Sequence, residues 1–251
     1  MLTSQRKNLI LDRLQRDGQF VAKTFSQELR LSEDTIRRDL RELASEGRLQ
    51  RVHGGALPAS PAVADFAGRQ RLGMEGKTAI GRAAAALVQP GQVVILDGGT
   101  TAVQLARHLA PNLRATVVTH SPSVAVALVA HRHVEVVLLG GRLFKHSIVA
   151  VGAAVIEAAA QVRADVFFMG VTGIHPEAGL STGDLEEAHV KRALSRRAAE
   201  TIVLASSEKL HAASAYVIAP LNEVSGMVVE VDAPEDLIAP FKRAGLTVTR
   251  A

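Results

Sequence analysis

From Lys77 onward the chain alternates between short apolar, β-branched runs and Ala-rich segments of helical length. The runs are VVIL (93–96), ATVVT (115–119), VEVVLL (134–139), DVFFM (165–169), TIVLA (201–205), MVVEV (227–231) and LTVT (246–249). Between most of them lie pieces such as TAIGRAAAALVQ, VQLARHLA, SVAVALVAH and EEAHVKRALSRRAA. Strands that are apolar without interruption need burial on both faces, and intervening helices provide that cover. The alternation therefore predicts an α/β domain with a mostly parallel sheet over residues 77–251.

The first 57 residues have a different texture. They hold 11 Lys/Arg against 8 Asp/Glu, so most of the chain's formal charge of +4 sits there. A basic N-terminal module followed by GGALPASPAVA (54–64) reads as a small domain, 1–57, and a linker, 58–76. At 251 residues one small and one medium domain fit. The chain has no cysteine, which excludes disulfides, thiolate metal sites and a cysteine nucleophile. Nine histidines are scattered without ligand spacing, so no metal and no cofactor are expected. Aromatic residues are 3%, too few for single-strand stacking platforms. No signal-type apolar segment opens the sequence and no apolar run approaches ~18 residues, so a cytoplasmic protein without a membrane partner is expected.

Within the basic module, QRKNLILDRLQR (5–16) predicts a helix with Leu9, Ile10 and Leu14 inward and Ser4 as N-cap, stopped at Asp17-Gly18. AKTFSQELR predicts a second helix with Phe25 and Leu29 inward. Ser32 then caps a third helix with Glu33 and Asp34 in its first turn, Ile36, Leu40 and Leu43 on its buried face, and Gly47 at its end. Thr35, Arg37, Arg38 and Arg41 are left pointing outward. RLQRVHGG reads as a hairpin wing carrying Arg48, Arg51 and His53. Two helices, a tight turn, an Arg-bearing helix and a basic hairpin make a winged helix-turn-helix, with double-stranded DNA as partner. Arg38 and Thr35 are expected at base edges, with Arg37, Arg41 and the wing at phosphates.

In the larger domain the informative loop is LDGGTTAVQLA. A strand runs into Gly98-Gly99-Thr100-Thr101 and a helix follows. Backbone N–H groups, hydroxyls and a helix N-terminus together suit an anion such as a phosphate, although a plain strand-to-helix turn has the same outline. It is not a nucleoside-triphosphate loop, because GxxxxGK[ST] is missing. Further polar groups follow other strands: His120 and Ser121 in THSPS, Gly141 and Arg142 in GGRL, the GVTGI turn, and Lys209 in SSEKL. Strand ends of an open parallel sheet converge on the ligand crevice. Glu187 and Lys191 stand at i, i+4 and read most simply as a helix-surface ion pair.

LSEDTIRRDLRELASEGRLQRVHGGA resembles the signature of the DeoR family of sugar-metabolism repressors, with TIRRDL, EG and HGGA in order. D-x-GTT at Asp97 to Thr101, VT-x-S at Val118 to Ser121, LLGG at Leu138 to Gly141, ADVFFMG, GLSTGDLEEAHVKRA and SS-x-K at Ser206 to Lys209 are similar to that family's effector domain. The resemblance implies a repressor of carbohydrate-metabolism genes, acting as a dimer or higher homo-oligomer and released from its operator by a phosphorylated sugar or polyol. It implies effector contacts at Asp97, Thr100, Thr101 and Lys209; Gly98, Gly99, His120, Ser121, Gly141, Arg142 and Glu187 complete the expected set. His120 departs from the Asn usual there. The effector domain is also similar to the fold of ribose-5-phosphate isomerase, so an isomerase-like enzyme with an appended DNA-binding domain is the alternative. That enzyme family carries a D-G-x-D-type acid pair where this chain has Met169-Gly170-Val171-Thr172, which implies a pocket without catalysis.

Overall fold

A computed structural model of the chain describes residues 1–60 and 65–251. The N-terminal elements are α1 (Thr3–Asp17), β1 (Phe20–Val21), α2 (Ala22–Leu29), α3 (Glu33–Ser45), β2 (Leu49–Val52) and β3 (Gly55–Pro58). β1, β3 and β2 form a small antiparallel sheet with β3 in the middle, so the predicted wing is present. Ile10, Leu14, Phe20, Phe25, Ile36, Leu40, Leu43 and Leu49 form its core. Ser32 caps α3 by accepting the Thr35 N–H at 3.3 Å. Gly47, at φ +70°, turns the chain away just beyond the helix.

Two details of α1 differ from expectation. The helix begins before Ser4, and the side chain of Gln5, not Ser4, satisfies the free N–H of Leu2 at 3.2 Å. Leu9 is exposed, and the buried stripe is Arg6, Ile10 and Leu14. A cation holds the inward place because Asp39 of α3, itself 1% exposed, meets it with both carboxylate oxygens. Removing one member of such a buried pair leaves the other uncompensated, whereas intact it locks two helices in register.

Then follow α4 (Phe66–Arg69), α5 (Met74–Ala85), β4 (Val93–Leu96), α6 (Thr100–His108), β5 (Ala115–Thr119), α7 (Pro122–Leu128), β6 (Val134–Leu138), β7 (Arg142–Phe144), β8 (Val149–Val151) and α8 (Ala153–Ala159). The remainder is β9 (Ala164–Gly170), β10 (Gly173–His175), β11 (Gly179–Thr182), α9 (Leu185–Ser195), β12 (Ala198–Leu204), β13 (Tyr216–Ala219), β14 (Gly226–Val229), α10 (Glu235–Arg243) and β15 (Thr247–Arg250). All seven predicted runs are strands of one parallel sheet, ordered β15-β14-β12-β9-β4-β5-β6. Its two faces are both buried. Val94, Leu96, Val117 and Phe168 pack under α5, α6 and α7, while Ile95, Val118, Phe167 and Met169 pack under α8, α9 and α10. Each large side chain removed from water in this way contributes about 1.5–3 kcal/mol.

The stretch read as a linker, 58–76, holds more structure than its composition suggests. Part of it, 61–64, lies outside the described residues. Pro58 closes β3, and its carbonyl accepts the Ala213 N–H at 3.0 Å. The Ser60 N–H donates to the Ala213 carbonyl at 3.3 Å, and the Ser60 hydroxyl donates to the Thr172 carbonyl. α4 and the first turn of α5 fill the rest. The segment predicted as one helix through EEAHVKRALSRRAA stops at Ser195, because Ala198 already pairs with Ala164 of β9.

Candidate functional site

The first candidate surface lies on α3 and the wing. Arg37, Arg38 and Arg41 are exposed on α3, as are Arg48, Arg51 and His53 on the wing; Ser32 is exposed and Thr35 half-buried. These residues differ in how free they are. Arg37 pairs with Glu33 at 2.8 Å, and Arg41 Nε donates to the Arg37 carbonyl at 3.3 Å. Thr35 shares a 2.9 Å hydroxyl contact with Ser32, while among the described residues Arg38 has no hydrogen-bond or ion-pair partner.

The second candidate site is a cavity of about 330 Å³ at the C-terminal ends of β4 and β9. Strand ends of a parallel sheet expose backbone that no further residue pairs, and helix N-termini gather there. Gly98, Gly99, Thr100 and Thr101 line it where β4 passes into α6. The two glycines are required for different reasons. A Cβ on Gly98 would stand 2.1 Å from Val149 Cγ1, and Gly99 holds φ +107°, which L side chains rarely adopt. Thr101 Oγ1 is buried and is the one such side-chain polar atom without a partner among the described residues. A hydroxyl left so costs about 1–3 kcal/mol unless something outside the protein satisfies it.

Beneath this loop Asp97 is fully buried and serves as a hub. Its Oδ1 lies 2.8 Å from His120 Nε2 and accepts the Gly98 N–H at 2.7 Å; its Oδ2 accepts the Gly170 N–H at 2.8 Å and pairs with the Lys191 ammonium. Burial pushes the Asp97 carboxyl up, but Lys191 and the His120 hydrogen bond outweigh it, and the group lies well below the usual carboxylate range. Lys191 therefore pairs with Asp97 across the fold and not with Glu187 on its own helix, so the surface ion pair expected between Glu187 and Lys191 is replaced. Both residues are buried. Glu187 accepts instead from Thr182 Oγ1 at 3.3 Å.

Of the expected contacts, Gly98, Gly99, Thr100, Thr101, Glu187 and Lys209 line the cavity. Asp97, His120 and Ser121 do not; they lie under it, with His120 Nδ1 also 2.8 Å from the Ala150 carbonyl. Gly141 and Arg142 are elsewhere: Gly141 is packed so that a Cβ would meet Val155, and Arg142 is exposed in β7. Lys209 has its ammonium lowered to about 8, chiefly by burial, and further by Lys77, Arg69 and Lys191, against the pull of Glu208. Arg69, from the segment read as linker, and Lys77, where the predicted α/β domain begins, also line the cavity and are absent from the sequence-based set. The signal that could have found them is the charge in DFAGRQRLGMEGK, set in a stretch that otherwise looks like connecting chain.

No helix among the described residues is long and apolar enough to cross a membrane. Residues 6–61 match the family model of a DeoR-like helix-turn-helix domain, and residues 73–231 that of a DeoR C terminal sensor domain. The HTH-type transcriptional regulator GlpR of Haloferax volcanii is 32% identical over 99% of this chain and 98% of its own length. The HTH-type transcriptional repressor GlcR of Bacillus subtilis is 34% identical over 92% of this chain and 89% of its own. Among solved structures, ribose 5-phosphate isomerase A of Methanocaldococcus jannaschii aligns at a TM-score of 0.39 and 19% identity, over 53% of this chain and 52% of that one. The chain belongs to the DeoR family of transcriptional regulators, with a DNA-binding helix-turn-helix module followed by the family's sensor domain.

Proposed function

We propose that the cavity binds a phosphorylated sugar or polyol and that its occupation releases the chain from an operator near carbohydrate-metabolism genes. The observation that carries this reading is the buried Thr101 hydroxyl at the N-terminus of α6, which has no partner among the described residues. It lines the cavity with Gly98, with Gly99, whose Cβ direction is open, and with the ammonium of Lys209, which has no hydrogen-bond or ion-pair partner among the described residues. Partial positive charge, free donors and a cation suit a tetrahedral dianion. Glu187 and Glu208, both on the cavity wall, suit the hydroxyls of the same ligand as acceptors. Asp97, with both oxygens occupied, holds the floor in place instead of touching the ligand.

On the DNA side, Arg38 is the residue for a base edge, helped by Thr35; Arg37, Arg41, Arg48, Arg51 and His53 hold phosphates. One module makes few contacts, so two copies on a repeated or palindromic operator fit the need for affinity. The chain acts by binding and not by turnover. Lys191 is bound to Asp97, the cavity carboxylates Glu187 and Glu208 already accept from Thr182 Oγ1 and Ser206 Oγ, and Gly170, Val171 and Thr172 bring no further carboxylate.

A thermal-shift series tests the pocket. Each of several sugar and polyol phosphates is compared with its unphosphorylated parent on the purified protein. Stabilisation by a phosphate ester and not by its parent is expected, since a ligand that binds only the native state raises apparent stability. Equal response to ester and parent contradicts the reading, as does conversion of an aldose phosphate to its ketose isomer.

A further inference from the structure

The cavity contains four cationic side chains, Arg69, Lys77, Lys191 and Lys209. Two are committed. Lys191 is held by Asp97 and the Gly170 carbonyl, and Lys77 donates to the carbonyls of Arg69, at 2.9 Å, and Leu72, at 2.5 Å. Arg69 is not. It ends α4, its guanidinium is half-buried, and its sole hydrogen bond among the described residues is a long one, 3.4 Å, to the Ser147 hydroxyl. It forms no ion pair there, although it faces Glu187 and Asp65 at longer range. A guanidinium has five N–H groups in a rigid fork, so most of this one's donors are unused in a partly dry site.

Lys209 likewise has no hydrogen-bond or ion-pair partner among the described residues, and the two lie close enough that Arg69 disfavours the Lys209 ammonium. Like charges are held together at a cost unless an anion is placed between them. The Lys77 bond to the Arg69 carbonyl fixes the backbone from which the guanidinium reaches into the cavity. Arg69 belongs to the chain between the wing and the sensor sheet, whereas Thr101 and Lys209 belong to the sensor sheet itself.

We infer that Arg69 is a phosphate-binding residue of the sensor, gripping from the connecting segment the same anion that Thr101 and Lys209 grip from the sheet. The inference rests on the phosphate reading of the cavity and adds to it: the ligand is held partly by the chain that leads to the DNA-binding module. A planar fork forms two parallel N–H···O bonds to one phosphate, a geometry a lysine cannot reproduce.

The test uses the full chain and calorimetric titration with inorganic phosphate, glycerol 3-phosphate, ribose 5-phosphate, fructose 1-phosphate and glucose 6-phosphate. The comparison is between the native protein, Arg69→Gln and Arg69→Lys. For the tightest ester, Arg69→Gln is expected to weaken binding roughly 10- to 100-fold, the scale of a lost charge-assisted contact. Arg69→Lys should recover part of that loss. A pH series separates contact from mere support. Native affinity should rise as the ester passes to its dianion near pH ~6, and Arg69→Gln should flatten that rise. Equal affinity in Arg69→Gln and the native protein, or an unflattened pH profile, overturns the assignment while leaving the phosphate reading in place. Failure of the native protein to bind any of the five probes overturns both.

Discussion

Thr101, Lys209 and Asp39 each carry a consequence that a single substitution exposes. Replacing Thr101 by Val keeps its shape and removes a buried hydroxyl that lacks a partner among the described residues. The variant should melt within a degree or two of the native protein or slightly above it, yet bind the phosphate ester about tenfold more weakly. Lys209 links the site to pH. Its ammonium titrates at 10.5 when unperturbed and at about 8 in the folded chain. Folding therefore releases a proton between these values, and stability rises with pH through that window; below about 8 the full cost of the buried ammonium is present. Lys209→Met should raise the melting temperature of the ligand-free protein at pH 7, by the equivalent of about 1–3 kcal/mol, and the advantage should shrink toward pH 10. A dianionic ligand needs the protonated lysine, so native affinity for it should fall as pH climbs past 8, which titrations at pH 7 and 9 would read directly. Asp39 works at the other end of the chain. Asp39→Ala leaves Arg6 buried without its carboxylate, a loss of about 3–5 kcal/mol. Operator binding should collapse while ligand-induced stabilisation of the sensor remains.

At the scale of elements, the proposed DNA contacts give α3 direction and the wing adhesion. Arg38 has no hydrogen-bond or ion-pair partner among the described residues, so Arg38→Ala should cost about 1–3 kcal/mol of operator affinity and relax base preference at one position, measured by fluorescence anisotropy. Arg51→Gln on the wing should weaken all sequences alike and lower the salt slope by about one. Most of these elements were legible in the sequence. The seven strands of the sheet announce themselves because burial on both faces demands uninterrupted apolar residues. The third helix does so because Ser32, Ile36, Leu40 and Leu43 fall at capping and helical spacing. The short antiparallel pieces, β7, β8, β10, β11 and β13, were not legible. Segments such as Gly173–His175 are too brief to show a period, and tertiary pairing, not propensity, makes them strands. The buried hub was equally hidden. The family resemblance makes Asp97 a ligand contact; in the fold Lys191, 94 residues away, returns to it, and no local pattern encodes that meeting.

For the molecule as a whole, the segment between the two modules matters most. It reads as a composition-poor linker, and in the structure it is anchored at both ends of its described part. Pro58 and Ser60 bond to Ala213 and Thr172, and Thr172 lines the cavity. Arg69 reaches the same cavity from farther along. The cavity is therefore bounded in part by the chain that leads to the DNA-binding module, and the proposed function links occupation of the one to placement of the other. A ligand alters such an equilibrium only by the difference in its affinity for the two arrangements, typically ~1–3 kcal/mol. On this reading the connection is what makes the protein a switch. It is tested most directly by titrating the native protein onto an operator selected from a randomised duplex library, at fixed salt, with and without a saturating phosphate ester already shown to stabilise the sensor. Operator affinity is predicted to fall about 5- to 150-fold in the presence of the ester. Identical curves with the sensor demonstrably occupied would contradict it.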